Sequence, residues 1–359
     1  MLNQHLIVNL SILFDRPTGI ATYAGNIIPY LKQLNPTLLT SREYPDFNCY
    51  PIASNMTPLQ GKVGHFSRLL WTQFQVPKIY QQLGGTLLFS PLPEAPLGQV
   101  CRTVLMVHDL IPLRFPSLTS PLSHYFRHYA PIVLKNALHI ICNSQATAKD
   151  IVDYYHIEPE KITAIPLGYD PTHFRPQTPL SQGSYFLYVG RQDPYKNLHR
   201  LIAAFAALPQ RGDYQLYVVG TPDPRYSPKL LELAKSHGVQ EQVKFLNYVS
   251  YQQLPSLYSG AQALVFPSLW EGFGIPALEA MACGTPVITS NISALPEVVG
   301  DAGLLVDPYS VQSITEALVT VLADSQLRLK MSRLGLERAA QLSWHTTGKK
   351  TQEVLRRYI

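Results

Sequence analysis

An α/β protein of two halves, each with its own parallel sheet, is the fold class this sequence predicts. Three observations predict it. Short apolar runs of strand type alternate with helical stretches along the chain, a pattern that belongs to parallel sheets covered by helices on both faces. The segment Ile165–Ser184, IPLGYDPTHFRPQTPLSQGS, is rich in Pro, Gly, Ser and Thr and poor in aliphatics, so it reads as an interdomain linker. And 359 residues suffice for two domains with a core each.

In the first half, His5–Phe14, Thr103–Val107 and His139–Asn143 read as strands, and Thr22–Gln33 as a helix. The opening MLNQHLIVNLSILF lacks a basic start and a small-residue cleavage site, so it is expected to be the first strand and not a signal peptide. In the second half the expected strands are Tyr185–Val189, Gln215–Val219, Val243–Phe245, Ala263–Phe266 and Pro286–Ser290. The helices between them are His199–Leu208, Pro228–Ser236 and Val311–Leu322. Ligands of such sheets sit at the carboxyl ends of the strands. The loops that follow strands therefore carry the functional reading.

The most specific of these loops is FPSLWEGFGIPALEAMACGT, Phe266–Thr285. Pro276 suits the first position of a helix, where a missing N–H costs nothing, and Gly284 suits its C-terminal stop. No Ser, Thr, Asp or Asn stands just before Pro276, so the N–H groups of Gly274, Ile275 and Ala277 are expected to lack a side-chain cap. An open helix start attracts a phosphate or another anion. Glu271 before the turn and Glu279 inside the helix would receive hydroxyl groups on either side of it. A phosphate with hydroxyls on both sides describes a nucleotide-sugar.

Three other loops bear on that reading. GRQDPYKN, Gly190–Asn197, follows a strand and places Arg191 and Lys196 where two cations would neutralise a diphosphate; alone, it also reads as a solvated loop. VHDLIP puts His108 and Asp109 after the strand TVLMV, where the histidine would bind a sugar hydroxyl, polarise a reacting centre, or bond locally in a buried turn. RPTGIATY, Arg16–Tyr23, has one glycine for close backbone approach but no GxGxxG pattern, which disfavours a nicotinamide cofactor.

Composition narrows the class further. A 46% hydrophobic, 15% charged chain is globular. Its net charge of +5 is spread as +2 over residues 1–170 and +3 over 171–359, giving nucleic-acid binding little support. Cys49, Cys101, Cys142 and Cys283 form no CxxC or Cys/His cluster, which fits a reduced, cytoplasmic protein without structural zinc. No run approaches the length of a membrane span. Phe66–Leu83, FSRLLWTQFQVPKIYQQL, mixes aromatic and basic residues at helical spacing. Such a stripe usually faces a core; the alternative is a membrane surface. The stretch His124, Tyr125, Phe126, Arg127, His128, Tyr129 either shapes an acceptor pocket or packs a helix.

Together, the glutamate pair in EGFGIPALEAMACGTPV, the GRQDPYKN loop and VHDLIP resemble the retaining glycosyltransferases of family 4. The resemblance runs over almost the whole chain, through RPTGIATY, ICNSQATAKDI and IPLGYDPTHF to the closing LSWHTTGKKTQEVLRRYI. It implies a GT-B fold: two Rossmann-like domains facing across a deep cleft. The first would span residues 1–168 on the acceptor side, completed by the C-terminal helix at 343–359. The second, 169–342, would hold the donor. Glu279 would hold the ribose hydroxyls and Glu271 those of the transferred sugar, with Arg191 and Lys196 on the diphosphate beside Gly190. Backbone amides from Gly272 and Phe273 to Ile275, including Gly274, would line sugar and phosphate. His108, next to Asp109, would reach the sugar. Gly19 would let the first loop close over the diphosphate, although many relatives have two adjacent glycines where this chain has Thr18–Gly19. Tyr248 and Val249, within FLNYVS, would meet a base that is either uracil or guanine.

The implied reaction is transfer of a hexose, glucose or mannose, from a UDP-sugar or GDP-sugar to a glycan or lipid-linked acceptor. It would proceed with retention by front-face attack and without a metal or other cofactor, since no DxD motif is found. Polysaccharide assembly is the implied setting, with peripheral contact at the inner face of the cytoplasmic membrane as a further expectation. A GT-B nucleotide-sugar epimerase and a non-catalytic sugar-nucleotide-binding protein are the rival readings.

Overall fold

The structure, a computed structural model, describes residues 5–14, 19–117, 120–178, 184–209 and 211–359. The chain divides into two compact units, Met1–Gly168 with Trp344–Ile359, and Tyr169–Ser343.

The first unit holds a parallel sheet of β1 (Leu6–Asn9), β2 (Thr37–Thr40), β3 (Asn48–Pro51), β4 (Leu87–Ser90), β5 (Thr103–Val107), β6 (His139–Cys142) and β7 (Ile162–Ala164). Among the described residues its order is β3-β2-β1-β4-β5-β6-β7. β1, β5 and β6 are buried throughout, as expected of strands covered on both faces. β3 lies at the edge, mostly exposed, and there Pro51 is tolerated. The expected strand His5–Phe14 stops at Asn9, because the N–H of Leu13 turns back to the carbonyl of Leu10. The closing helix Trp344–Arg356 lies on the helix Ile20–Leu31. Gly348 allows the close approach: a Cβ there would come within 2.1 Å of the Tyr30 ring.

The stripe of Phe66–Leu83 is not one helix but two, Gly61–Phe74 and Val76–Gln82, and its expected orientation is overturned. Gly64, Arg68 and Thr72 face inward, while Val63, Phe66, Leu70 and Phe74 face solvent. The cause is Arg68. Its guanidinium forks onto Glu94, Nε to Oε2 at 2.7 Å and Nη2 to Oε1 at 2.8 Å, and Nη1 donates to the Met56 carbonyl at 2.9 Å. A buried bidentate pair of that kind fixes which face of a helix turns in. The 124–129 stretch packs: Tyr125 is buried and its hydroxyl donates to the Pro93 carbonyl at 2.6 Å, while His124, Arg127 and His128 are exposed.

The second unit holds β8 (Tyr185–Val189), β9 (Gln215–Val219), β10 (Val243–Asn247), β11 (Ala263–Phe266), β12 (Val287–Ser290) and β13 (Gly303–Val306). All run parallel, in the order β10-β9-β8-β11-β12-β13 among the described residues. The order reverses between β8 and β11, and a doubly wound sheet opens a crevice at the carboxyl ends of that pair. Part of the expected linker is packed into this unit: Phe174 is buried and His173 stacks on Tyr251 at 3.7 Å. Residues 179–183 of it lie outside the described residues.

Candidate active site

The loops that leave β8 and β11 meet at this switch point. After β8, Gly190 adopts φ 154° and the Tyr188 hydroxyl donates to the Arg191 carbonyl at 2.6 Å, which turns the chain into a short 3-10 turn, Pro194–Lys196. Asn197 follows in the left-handed region at φ 64°, which Asn tolerates better than most residues. Its buried amide donates to the carbonyls of Pro267, 2.9 Å away, and Pro308, 2.6 Å away. The Leu269 N–H closes on the Tyr195 carbonyl at 2.7 Å. The two loops are thus held together through their backbones.

That stapling delivers Lys196 to Glu271, Nζ to Oε1 at 2.6 Å, with both side chains largely buried. The ammonium also lies 5.3 Å from the Tyr195 ring centroid and 5.4 Å from that of Phe266, within cation–π range. The Glu271 N–H donates to Ser293 Oγ at 3.3 Å. Arg191 is placed differently: its side chain is exposed and pairs with Asp193 at 2.8 Å. So of the two expected cations, one contacts Glu271 and the other a neighbour in its own loop.

The helix that follows is Ile275–Ala282, so Pro276 is its second residue and not its first. Gly274 precedes it at φ 111° with no side-chain cap. One expectation is corrected here: the Ala277 N–H is not open but donates to the Gly274 carbonyl at 3.0 Å. Among the described residues the N–H groups of Gly274 and Ile275 have no protein acceptor. Gly284, at φ 74°, ends the helix, and the Thr285 N–H reaches back to the Ala280 carbonyl at 2.9 Å. Inside the helix, Glu279 accepts from the Tyr258 hydroxyl at 2.9 Å. Burial lifts its carboxyl from 4.5 to about 7, against the lowering pull of that hydroxyl.

Tyr248 and Val249 follow the edge strand β10; Tyr248 is exposed. In the first unit, His108 follows β5 and meets Tyr23 edge to face at 5.2 Å. Its Nε2 lies 3.0 Å from the Pro91 carbonyl, which can only accept, so Nε2 carries the proton and Nδ1 remains an acceptor. Burial lowers its pKa to about 4, which keeps the ring neutral near pH 7. Local bonding and a free acceptor nitrogen therefore coexist in this residue. Asp109 Oδ1 accepts from the Ile111 N–H at 3.0 Å and opens a short helix. Gly19 sits at φ 44° at the start of the Ile20–Leu31 helix; Arg16, Pro17 and Thr18 lie outside the described residues.

The sequence reading missed three residues of this arrangement. Asn197, directly before the helical LHRLIAAF, carried a legible signal as a polar residue at a helix boundary. Tyr258 and Ser293 carried none, because their partners are 21 and 22 residues away at no helical or strand period. Among the described residues, no group of three or more His, Cys, Asp or Glu could hold a metal ion.

Two doubly wound parallel domains, one with a buried lysine–glutamate pair in the loops that lead to an uncapped helix start, make up the architecture of the GT-B fold. The comparisons agree. The family description "Glycosyl transferases group 1" matches residues 170–338, and "Glycosyltransferase Family 4" matches residues 17–173. The D-inositol 3-phosphate glycosyltransferase of Corynebacterium glutamicum is 32% identical over 93% of this chain and 75% of its own. The O-antigen chain mannosyltransferase B of Escherichia coli is 39% identical over 46% of this chain, and the match spans 44% of that relative's length. Among solved structures, the sucrose-phosphate synthase of Thermosynechococcus elongatus superposes with a TM-score of 0.78 at 21% identity, covering 99% of both chains. The chain belongs to the family 4, group 1 type glycosyltransferases.

Proposed function

We propose that this glycosyltransferase moves a hexose from a nucleoside diphosphate sugar to a glycan or lipid-linked acceptor, with retention and without a metal, in polysaccharide assembly. The observation that carries the reading is the buried Lys196–Glu271 pair beside the open N–H groups of Gly274 and Ile275. A lysine there neutralises a diphosphate and then the leaving group, while Glu271 receives sugar hydroxyls. Glu279 takes the ribose. Neutral His108, with Nδ1 as acceptor, takes a hydroxyl of the transferred sugar. In front-face transfer the departing diphosphate accepts the acceptor's proton, so the protein supplies position and charge, not a strong base. Mannose is the hexose assigned first, because mannosyltransferase B gives the highest identity among the relatives described above.

Calorimetric titration with GDP-mannose and with UDP-glucose, with and without EDTA, tests this reading. Selective binding of one sugar nucleotide that EDTA leaves unchanged is the expected result. Binding of neither would return the non-catalytic reading. Conversion of the donor's sugar with no acceptor present would favour the epimerase.

The Glu279 carboxyl adds a pH signature. Ribose hydroxyls donate to the ionised form, which with a pKa of about 7 is the minor species below neutrality. A sugar nucleotide, whose phosphates do not titrate here, is expected to bind about tenfold more tightly at pH 8 than at pH 6 through this group. Glu279→Gln removes that slope and weakens binding at pH 8; a slope retained in the variant would place the titrating group elsewhere. For the free protein the sign is opposite. A raised carboxyl pKa contributes stability that is full below 4.5 and is lost as pH rises through about 7.

A further inference from the structure

We infer that Tyr23 is a positioning residue for His108: its ring sets the plane of the imidazole, and the closing helix Trp344–Arg356 helps to hold Tyr23 in place. The inference rests on the reading above, in which Nδ1 of His108 takes a hydroxyl of the transferred sugar.

The histidine needs such a partner. It is half-buried just past the carboxyl end of β5, so its ring is both packed and reachable. Among the described residues the one hydrogen bond its ring makes is that of Nε2 to the Pro91 carbonyl, at 3.0 Å. That bond anchors the far end of the ring but leaves the tilt of its plane open, because χ2 of histidine is a broad, roughly two-fold torsion. Half a turn about χ2 exchanges Nδ1 for a carbon, and so an acceptor for a C–H. A second contact has to decide the tilt, and Tyr23 supplies it. The two ring centroids lie 5.2 Å apart with their planes at 77°, the edge-to-face arrangement that aromatic pairs prefer.

Tyr23 is itself held from two elements. It is fully buried, and its N–H donates to the Gly19 carbonyl at 3.0 Å, so it rides on the first turn of the Ile20–Leu31 helix. Its hydroxyl lies 3.4 Å from Thr351 Oγ1. The direction of that bond follows from the threonine. Thr351 Oγ1 gives its own proton to the Thr347 carbonyl at 2.8 Å, so the tyrosine donates. Thr347 Oγ1 in turn donates to the Pro166 carbonyl at 2.7 Å. A chain of contacts therefore runs from Pro166 through the closing helix and Tyr23 to His108. At 3.4 Å the Tyr23–Thr351 bond is long, so the ring carries more of the effect than the hydroxyl.

The test compares kcat and KM of Tyr23→Phe, Tyr23→Met, His108→Ala and the double variant Tyr23→Met with His108→Ala. The donor is whichever of GDP-mannose and UDP-glucose the calorimetry selects. Tyr23→Phe keeps the ring and should stay within about twofold of the wild type. Tyr23→Met fills the space without a ring and should lower kcat about tenfold or more, with KM little changed. Tyr23→Leu is a second ringless variant with the same expected result. The double variant should be no slower than His108→Ala alone, since Tyr23 then has nothing left to position. Nitrogen NMR of the histidine rings reads the contact without any sugar nucleotide. The His108 signals, identified by their loss in His108→Ala, should report the Nε2–H tautomer in the wild type and in Tyr23→Phe, and should shift or broaden in Tyr23→Met. A normal kcat in the ringless variants, losses that multiply in the double variant, unmoved His108 signals, or an Nδ1–H tautomer in the wild type would overturn the inference. A normal kcat in His108→Ala would overturn it by removing the sugar contact on which it rests. The two failures are told apart, because the spectra report the ring contact whether or not His108 takes part in transfer.

Discussion

Lys196→Ala is expected to lower kcat by about 10²–10³-fold, the loss typical when one preorganised group that stabilises developing charge is removed. Lys196 is the cation that the fold builds in. Its loop is stapled to the β11 loop through Asn197 and Tyr195, and its ammonium is 2.6 Å from Glu271. Arg191, exposed and paired with Asp193, is expected to matter less, so Arg191→Ala should cost a smaller factor than Lys196→Ala. Lys196→Ala has a second consequence. It leaves the Glu271 carboxylate buried without its partner, and removing one member of a buried pair costs about 3–5 kcal/mol. The single variant should therefore lose both turnover and Tm, while Lys196→Met with Glu271→Gln recovers Tm and not turnover. A near-normal kcat in Lys196→Ala, measured as sugar released or transferred, would remove the lysine from the reaction.

The pairing itself was out of reach from sequence, because residues 196 and 271 are 75 positions apart. What the sequence did carry was punctuation. Gly274, Pro276 and Gly284 each require or prefer one backbone geometry, so the turn, the helix start and the helix end were legible. The strands TVLMV, YFLYV, QLYVV and ALVF were legible as β-branched or aromatic apolar runs. Thr37–Thr40, Leu87–Ser90 and Gly303–Val306 were not: four residues alone do not separate a strand from helix or loop, and the equally short ALVF was legible because the turn and helix punctuation of Phe266–Thr285 follows it. The Gly61–Phe74 helix teaches the same lesson differently. Periodicity shows that a stripe exists but not which side of it faces in. That choice was made by Arg68 finding Glu94 26 residues away. Glu279 is a third case: its position was legible, but its pKa depends on burial and on Tyr258, which only the packed chain shows.

Gly220→Ala is the second large effect, and it acts on the backbone beneath Lys196. Gly220 follows β9 at φ 156°, and its N–H donates to the Asn247 carbonyl at 2.9 Å. An added Cβ would stand 2.0 Å from the carbonyl oxygen of Gly190 and 3.0 Å from its carbon. The obstacle is main chain, so no side-chain rotation relieves it. Either β9 or the start of the GRQDPYKN loop has to move. Gly190 has little freedom to do so, because its N–H is held by the Val219 carbonyl at 2.9 Å and the next residue's carbonyl by Tyr188. Backbone strain and overpacking at such a site each cost about 1–3 kcal/mol. For a unit of this size that total corresponds to a Tm lower by roughly 4–24 °C. The displaced loop carries Lys196, so sugar-nucleotide affinity should fall together with Tm, and raising the ligand concentration should recover part of the thermal loss. An unchanged Tm would mean that the β8–β9 ends yield without strain. A lowered Tm with unchanged affinity would show that this turn supports the sheet without setting the position of Lys196.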